Sequence, residues 1–418
     1  MAWYSIAATR AGVSGVCKYR ARRHAAATHN GRMNTAASSQ AVTPPRTVPA
    51  APAQAGRPLA EVDTPALLVD LDVMDANIAR VHGDAHQAGV RVRPHAKAHK
   101  CAALAQRQIA AGAQGVCCQK LGEAEALAAA GIDDILVTNE LVGMAKARRA
   151  AQLAGRIRLG VCADHPLQVQ QLAEATQAAG TCLDVLVELD VGQGRCGVTS
   201  AADAVALAQA IAAAAPGLRF AGLHAYHGGA QHLRSPAERR AAIAGAAARA
   251  REAVAALAAA GLPCATVTGA GTGTYALEAA SGLYTELQPG SYVLMDVDYA
   301  ANTPAEGSAP LGQALFGWCS VISLRPGQAV LDGGLKAFGV DCGLPRVLHP
   351  GWQVKGISDE HTVIVSTTAD AAPLALGDKL RLIPGHCDPT VNLHDWLVAF
   401  RGDTVEAVWP VTARGAMY

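Results

Sequence analysis

Val90-Arg91-Val92-Arg93-Pro94-His95-Ala96-Lys97-Ala98-His99-Lys100 opens as a β-branched run and meets a proline, the pattern of a strand that stops there. Basic side chains then crowd residues 94–100. A lysine just past a buried strand end can have its ammonium partly desolvated, which lowers its pKa and makes the amine nucleophilic. By itself the stretch leaves a solvated basic turn open as the alternative.

Outward from this strand the texture is regular. Apolar, β-branched runs at 90–93, 115–118, 135–138, 157–162, 185–190, 220–226, 265–269 and 284–287 alternate with alanine-rich helical stretches. Eight strand–helix alternations predict a parallel sheet, and eight is the number that closes a (β/α)8 barrel of α/β class. An open doubly wound sheet is the alternative, weakened because no Gly-x-Gly-x-x-Gly follows the first strand. A barrel places its active residues at the C-terminal ends of strands. Lys97, Gln119, Asn139, Arg195, Tyr226 and the loop 269–274 all fall there. Beyond residue 290 the runs at 314–322, 328–331, 362–366, 379–382, 395–400 and 404–408 are short and punctuated by Gly and Pro, which predicts a C-terminal all-β domain over 291–418. A strand at 66–71, within a segment 58–72, is expected to join that domain and leave 73–290 as the barrel.

Composition bounds the rest. The chain has 418 residues, 51% hydrophobic and 17% charged, with a net charge of +1, so neither a nucleic-acid nor a membrane partner is indicated. No apolar run is long enough to span a bilayer. The 11 scattered cysteines lack zinc-finger spacing and read as buried small hydrophobes in a reducing, cytoplasmic compartment. Residues 1–57 precede the first acidic residue, Glu61, and are Arg-rich, which is transit-peptide-like. A misassigned leader with Met33 as the true start is the other reading, and disorder is expected in both.

Four constellations carry chemistry. Gly269-Ala270-Gly271-Thr272-Gly273-Thr274 and Gln288-Pro289-Gly290-Ser291-Tyr292 follow successive strands, and closely spaced glycines let backbone N–H groups converge on an anion. Gly192-Gln193-Gly194-Arg195 puts an arginine after the run 185–190, where a surface role is equally open. His224-Ala225-Tyr226-His227 and His232 form a dense group of proton-transfer side chains at a strand end. In Pro384-Gly385-His386-Cys387-Asp388-Pro389, an extended segment would turn His386 and Asp388 to the same side, although spacing alone also suits a structural pair.

Arg93-Pro94-His95-Ala96-Lys97-Ala98-His99-Lys100 resembles the cofactor-lysine segment of the D-threonine aldolase and D-serine dehydratase family, pyridoxal-phosphate enzymes of the alanine-racemase fold, and the resemblance covers about residues 63–418. It implies that Lys97 forms the Schiff base with the cofactor, that Thr272, Gly290 and Ser291 hold its phosphate, that Arg195 meets its phenolate oxygen, and that Gln119 and Tyr299 are further contacts. Tyr226 and His232 match active-site positions, with His232 placed to move a proton at the β-hydroxyl, while His95 and His99 receive no role. His386 and Asp388 match the divalent-metal motif. The His-x-Asp form favours the aldolase branch over the His-x-Cys dehydratases, and its oxygen ligand suits manganese, with magnesium or cobalt as alternatives. The resemblance thus implies a homodimeric, metal-assisted aldolase cleaving D-β-hydroxy-amino acids such as D-threonine or 3-hydroxy-D-aspartate to glycine and an aldehyde. The alternative is β-elimination from D-serine or 3-hydroxy-D-aspartate, and the rival from another class is a non-catalytic pyridoxal-phosphate carrier.

Overall fold

The computed structural model describes residues 48–418. The leader expected over 1–57 therefore lies, for its first 47 residues, outside the described residues. Its last stretch is tied to the body of the protein: Gly56 N donates to Val405 O at 2.8 Å, and Trp396 Nε1 donates to Pro49 O at 3.0 Å.

β1 (Ala66–Asp70) runs antiparallel to β10 (Leu315–Arg325) and parallel to β16 (Trp396–Arg401), so the first strand lies inside the C-terminal sheet. Asp70 ends it and caps the helix Leu71–Gln87, its carboxylate accepting from the N–H groups of Asp72 and Val73. The parallel strands follow: β2 (Arg91–Val92), β3 (Val116–Cys118), β4 (Asp134–Glu140), β5 (Arg158–Ala163), β6 (Leu183–Glu188), β7 (Leu218–His224), β8 (Val267–Gly269) and β9 (Glu286–Leu287). Their order is β2-β9-β8-β7-β6-β5-β4-β3. The barrel closes where Cys117 N donates to Pro94 O at 2.8 Å and Gln114 N to Val92 O at 2.9 Å. Pro94 stops β2 because it has no N–H for the ladder, while its carbonyl still makes the closing bond.

Strand alternation divides the barrel side chains in two. Val116, Cys118, Ile135, Val137, Val161, Val185 and Val187 pack outward among the helices. Cys117, Leu136, Cys162 and Leu186 form a separate interior layer. Alanine is used where helices must lie close: Ala246, Ala250 and Ala253 of the helix Pro236–Ala259 are wholly buried.

The C-terminal sheet adds β11 (Gln328–Leu331), β12 (Arg346–Val347), β13 (Trp352–Ile357), β14 (Thr362–Ser366), β15 (Lys379–Ile383) and β17 (Thr404–Pro410). Two of these, β12 and β13, carry no strand signal in the sequence. β12 is two residues long, and β13 is a half-exposed outer strand containing Lys355 and Gly356.

Candidate active site

The strand ends of the barrel open into a cleft of about 390 Å³. Nine of the eleven candidate residues line it: Lys97, Gln119, Arg195, Tyr226, His232, Thr272, Gly290, Ser291 and Tyr299. Lys97 lies in the short 3-10 turn Ala96–Ala98 that the chain enters after Pro94, capped by the His95 ring. His95 also lines the cleft, with Nε2 2.9 Å from Thr138 Oγ1 and 3.3 Å from Gln119 Nε2. His99 is fully buried, and burial pushes its pKa down to about 4.

From the C-terminal domain Asp388 meets two cleft-lining residues, Lys97 and Ser291, while the His386 ring faces Asp341 and Cys342. Val297 N donates to Pro384 O at 3.0 Å and Asp298 N to Gly385 O at 3.2 Å, which pins their loop to the segment that follows the last barrel strand. Gly385 cannot be larger, since a Cβ there would lie 2.1 Å from Gly343 O. Asp296, wholly buried, accepts from Tyr299 N and Cys387 N, each at 2.8 Å, and fastens both sides together.

The pair is not presented on an extended segment as expected. His386 is the N-cap of the helix Cys387–Asn392, with Asp388 and Pro389 in its first turn. An acid and a proline there suit the free N–H groups of a helix start. Asp388 Oδ2 accepts from Lys97 Nζ, and Ser291 Oγ donates to Oδ1 at 3.1 Å. His386 Nδ1 lies 2.7 Å from Asp341 Oδ2, and Asp341, Cys342 and His386 gather donor atoms within 4.8 Å of one another.

These contacts reverse the expected titration of Lys97. Burial alone would lower its pKa, but the Asp388 carboxylate and Tyr226 more than offset that, so the ammonium is held above the ordinary lysine value. Asp388 shows the counterpart: burial would raise it, and Lys97 and His386 together hold it well below the usual carboxylate range.

The phosphate loops fit an anion. Among the described residues no acceptor is found for the N–H groups of Gly271, Thr272, Gly290 and Ser291, and all four residues line the cleft. Thr272 Oγ1 accepts from Tyr292 N at 2.9 Å and so ties the two loops into one cradle. A Cβ on Gly271 would lie 2.6 Å from Gln231 Oε1, and one on Gly290 2.9 Å from His95 O. Lys97 across the cleft supplies the amine that pyridoxal phosphate requires. The donors near His386 and Asp388 likewise suit a divalent ion, an imidazole with a carboxylate that stays ionised.

Sequence reasoning missed Asp298. Its Oδ2 lies 2.6 Å from His232 Nδ1, and its Oδ1 accepts from Arg234 Nη2. Burial would raise the Asp298 pKa, but Arg234 and His232 pull it below the ordinary value. A carboxylate on Nδ1 leaves Nε2 of a neutral His232 ring as the free base. The Tyr299 ring flanks it, 5.4 Å between centroids. An Asp two residues after Asp296 carried no local signal of this pairing.

This combination of an alanine-racemase-type barrel, a cleft lysine and a phosphate cradle defines a pyridoxal-phosphate protein class. The family model for the alanine racemase N-terminal domain matches residues 69–298, and a serine dehydratase domain model matches 314–400. The chain is 48% identical over 368 residues to a D-threonine aldolase of Arthrobacter sp, covering 87% of this chain and 96% of that protein. It is 46% identical over 376 residues to a 3-hydroxy-D-aspartate aldolase of Paracoccus denitrificans (strain Pd 1222), covering 88% and 96%. The crystal structure of D-threonine aldolase from Filomicrobium marinum superposes with a TM-score of 0.86 at 49% identity, covering 88% of this chain and all of that one. A D-threo-3-hydroxyaspartate dehydratase of Delftia sp. is more distant, at 30% identity over 355 residues, covering 79% of this chain and 92% of that protein. The chain belongs to the alanine-racemase-fold family that contains these aldolases, which are carbon–carbon lyases.

Proposed function

We propose that this protein cleaves D-β-hydroxy-amino acids to glycine and an aldehyde, with pyridoxal phosphate bound at Lys97 and a divalent metal ion, manganese above others, held by His386 and Asp388. The observation that carries the reading is the meeting of Lys97 with Asp388, 291 positions later, at the rim of the phosphate cradle.

Each group has a task within the cleft. The N–H groups of Gly271, Thr272, Gly290 and Ser291 hold the phosphate, and Arg195, Gln119 and Tyr299 orient the ring. When bound, pyridoxal phosphate supplies an electron sink for the charge left at Cα. A divalent ion at His386 and Asp388 supplies Lewis-acid polarisation of the β-hydroxyl. His232, its Nδ1–H directed at Asp298, accepts the hydroxyl proton through Nε2 as the Cα–Cβ bond breaks and the aldehyde forms. A proton returned to Cα completes glycine. Tyr226 lines the cleft with Lys97, and burial raises its phenol above the ordinary value, so it stays a neutral hydroxyl there.

The choice of aldolase over dehydratase rests on Asp388: an oxygen ligand suits a hard ion, whereas elimination in the related dehydratases is associated with a Cys at that place. Cys387, the intervening residue, is wholly buried and donates to Asp388 Oδ1 at 3.3 Å. The family resemblance supports a homodimer. Ten free cysteines among the described residues suit a reducing cytoplasm, and no helix among those residues is long and apolar enough to cross a membrane. The test is D-threonine cleavage by the pyridoxal-phosphate-loaded protein. Glycine and acetaldehyde should form, formation should stop with EDTA, and added manganese should restore it.

A further inference from the structure

A chain of buried polar side chains crosses the barrel interior beneath the cleft, and the proposed reaction leaves it unused. Arg93 pairs with Asp134 at 2.5 Å, and its Nε lies 3.1 Å from Glu286 Oε2. Thr268 Oγ1 donates to Glu286 Oε1 at 3.0 Å and lies 2.8 Å from Gln288 Nε2. Gln288 Oε1 is 3.1 Å from His224 Nε2, and His224 Nδ1 is 3.2 Å from Glu188 Oε2.

The two ends of this chain force the donors between them. Glu286, ion-paired with Arg93, accepts the Thr268 proton, so the Thr268 oxygen must accept from the Gln288 amide nitrogen. That turns Gln288 Oε1 toward His224, whose Nε2 must then donate. Nδ1 lies 3.2 Å from Glu188 Oε2, at ion-pair distance though outside hydrogen-bond geometry, and a proton on Nδ1 is what gives that buried carboxylate a countercharge.

We infer that His224 is a doubly protonated imidazolium, fixed between Glu188 and Gln288, and that it is a positioning residue: it locks the Gln288 amide in one orientation and sets a permanent positive charge in the cleft wall. Gln288 keeps its second amide N–H for an acceptor in the cleft, and His224 joins Arg195 on a wall suited to an anionic ligand.

The surrounding charges agree. His224 is 2% and Glu188 5% exposed. Burial would lower the His224 pKa, yet Glu188, Gln288 and Glu140 raise it above the ordinary histidine value. Burial would raise Glu188, and His224 brings it below the ordinary value instead. The neighbouring Glu140 carboxyl is pushed up to about 7 by burial and the Glu188 charge. Of the other groups facing the pair, the Cys162 thiol is pushed far up by burial. His95 is pushed down by burial, then by Lys97, with a smaller contribution from His224.

Cofactor-free protein carrying 15N-histidine, read by long-range 15N–1H NMR from about pH 6 to about pH 9, tests the charge directly. One histidine should keep both ring nitrogens protonated throughout, should vanish in His224→Gln, and should become a neutral tautomer in Glu188→Gln. An unprotonated Nδ1 in the wild-type spectrum overturns the inference, whether the ring is simply neutral or shares a metal ion with Cys162. The positioning role is read with pyridoxal phosphate itself: Glu188→Gln should raise its Kd at least about tenfold at unchanged circular dichroism. An unchanged Kd overturns that role. If Glu188→Gln does not fold, the wild-type spectrum alone decides. Wild-type protein that bound no pyridoxal phosphate would sink the cofactor reading, and the NMR result would still decide the charge on His224.

Discussion

Asp388, on the C-terminal domain, is the countercharge of Lys97, on the barrel. The two cannot keep this arrangement once Lys97 bonds to a cofactor, because its amine then no longer pairs with Asp388 as a free ammonium. Asp388 would be left as a largely buried carboxylate held by Ser291, and in the proposed function a divalent cation would replace the lost charge. The proposed function thus predicts that cofactor loading and metal binding are coupled through one carboxylate.

Asp388→Asn separates the two events. The variant should still take up pyridoxal phosphate, seen as a yellow absorbance on Lys97. Its kcat/KM should fall more than about 100-fold, and manganese should not restore it. Full rescue by manganese would remove Asp388 from the metal site.

Asp298→Asn tests the pairing with His232. An amide can turn its N–H toward Nδ1 and select the wrong tautomer, so kcat should drop about 10- to 100-fold while KM changes less than about twofold. A variant with unchanged kcat would show that His232 is not the base.

Gly290→Ala tests the cradle. Its Cβ would meet the His95 carbonyl oxygen at 2.9 Å, and backbone cannot yield as a side chain can. Pyridoxal phosphate should bind at least about tenfold more weakly by equilibrium titration. Wild-type affinity would place the phosphate elsewhere.

Glu278 gives a pH signature of stability. It is 1% exposed, with one oxygen accepting from Thr274 Oγ1 at 2.8 Å and the other without a partner. Burial pushes its carboxyl from the ordinary 4.5 up to about 7. The folded state thus binds the proton more tightly than the unfolded one. This contribution is fully present below the unfolded value and is lost as pH rises through the folded one, by roughly 3 kcal/mol. Glu278→Gln does not titrate, so its melting temperature relative to wild type should rise by about 2–4 °C between about pH 5 and about pH 8. A difference that does not change with pH would contradict the burial argument.

What was legible in the sequence was what local chemistry dictates. The eight barrel strands stand out because β-branched residues alternate with helical alanine runs, and the cradle stands out because glycines cluster directly after two of them. Long-range pairings were hidden. Nothing near Lys97 announces Asp388, so its pKa was expected to move the wrong way. Asp298 resembles any surface acid until His232 is folded against it. Glu188 and His224 end otherwise apolar strands and Gln288 directly follows one, where period and propensity say nothing of a polar chain through a barrel. The extended reading of His386 and Asp388 failed although Asp388 and Pro389 are themselves signals of a first helical turn.

The most direct test is product analysis with 3-hydroxy-D-aspartate, from which the two chemistries give different compounds. Protein loaded with pyridoxal phosphate and manganese should release glycine and glyoxylate in equal amounts. Oxaloacetate and ammonia would contradict the account, because the bond broken would then be Cβ–O and not Cα–Cβ.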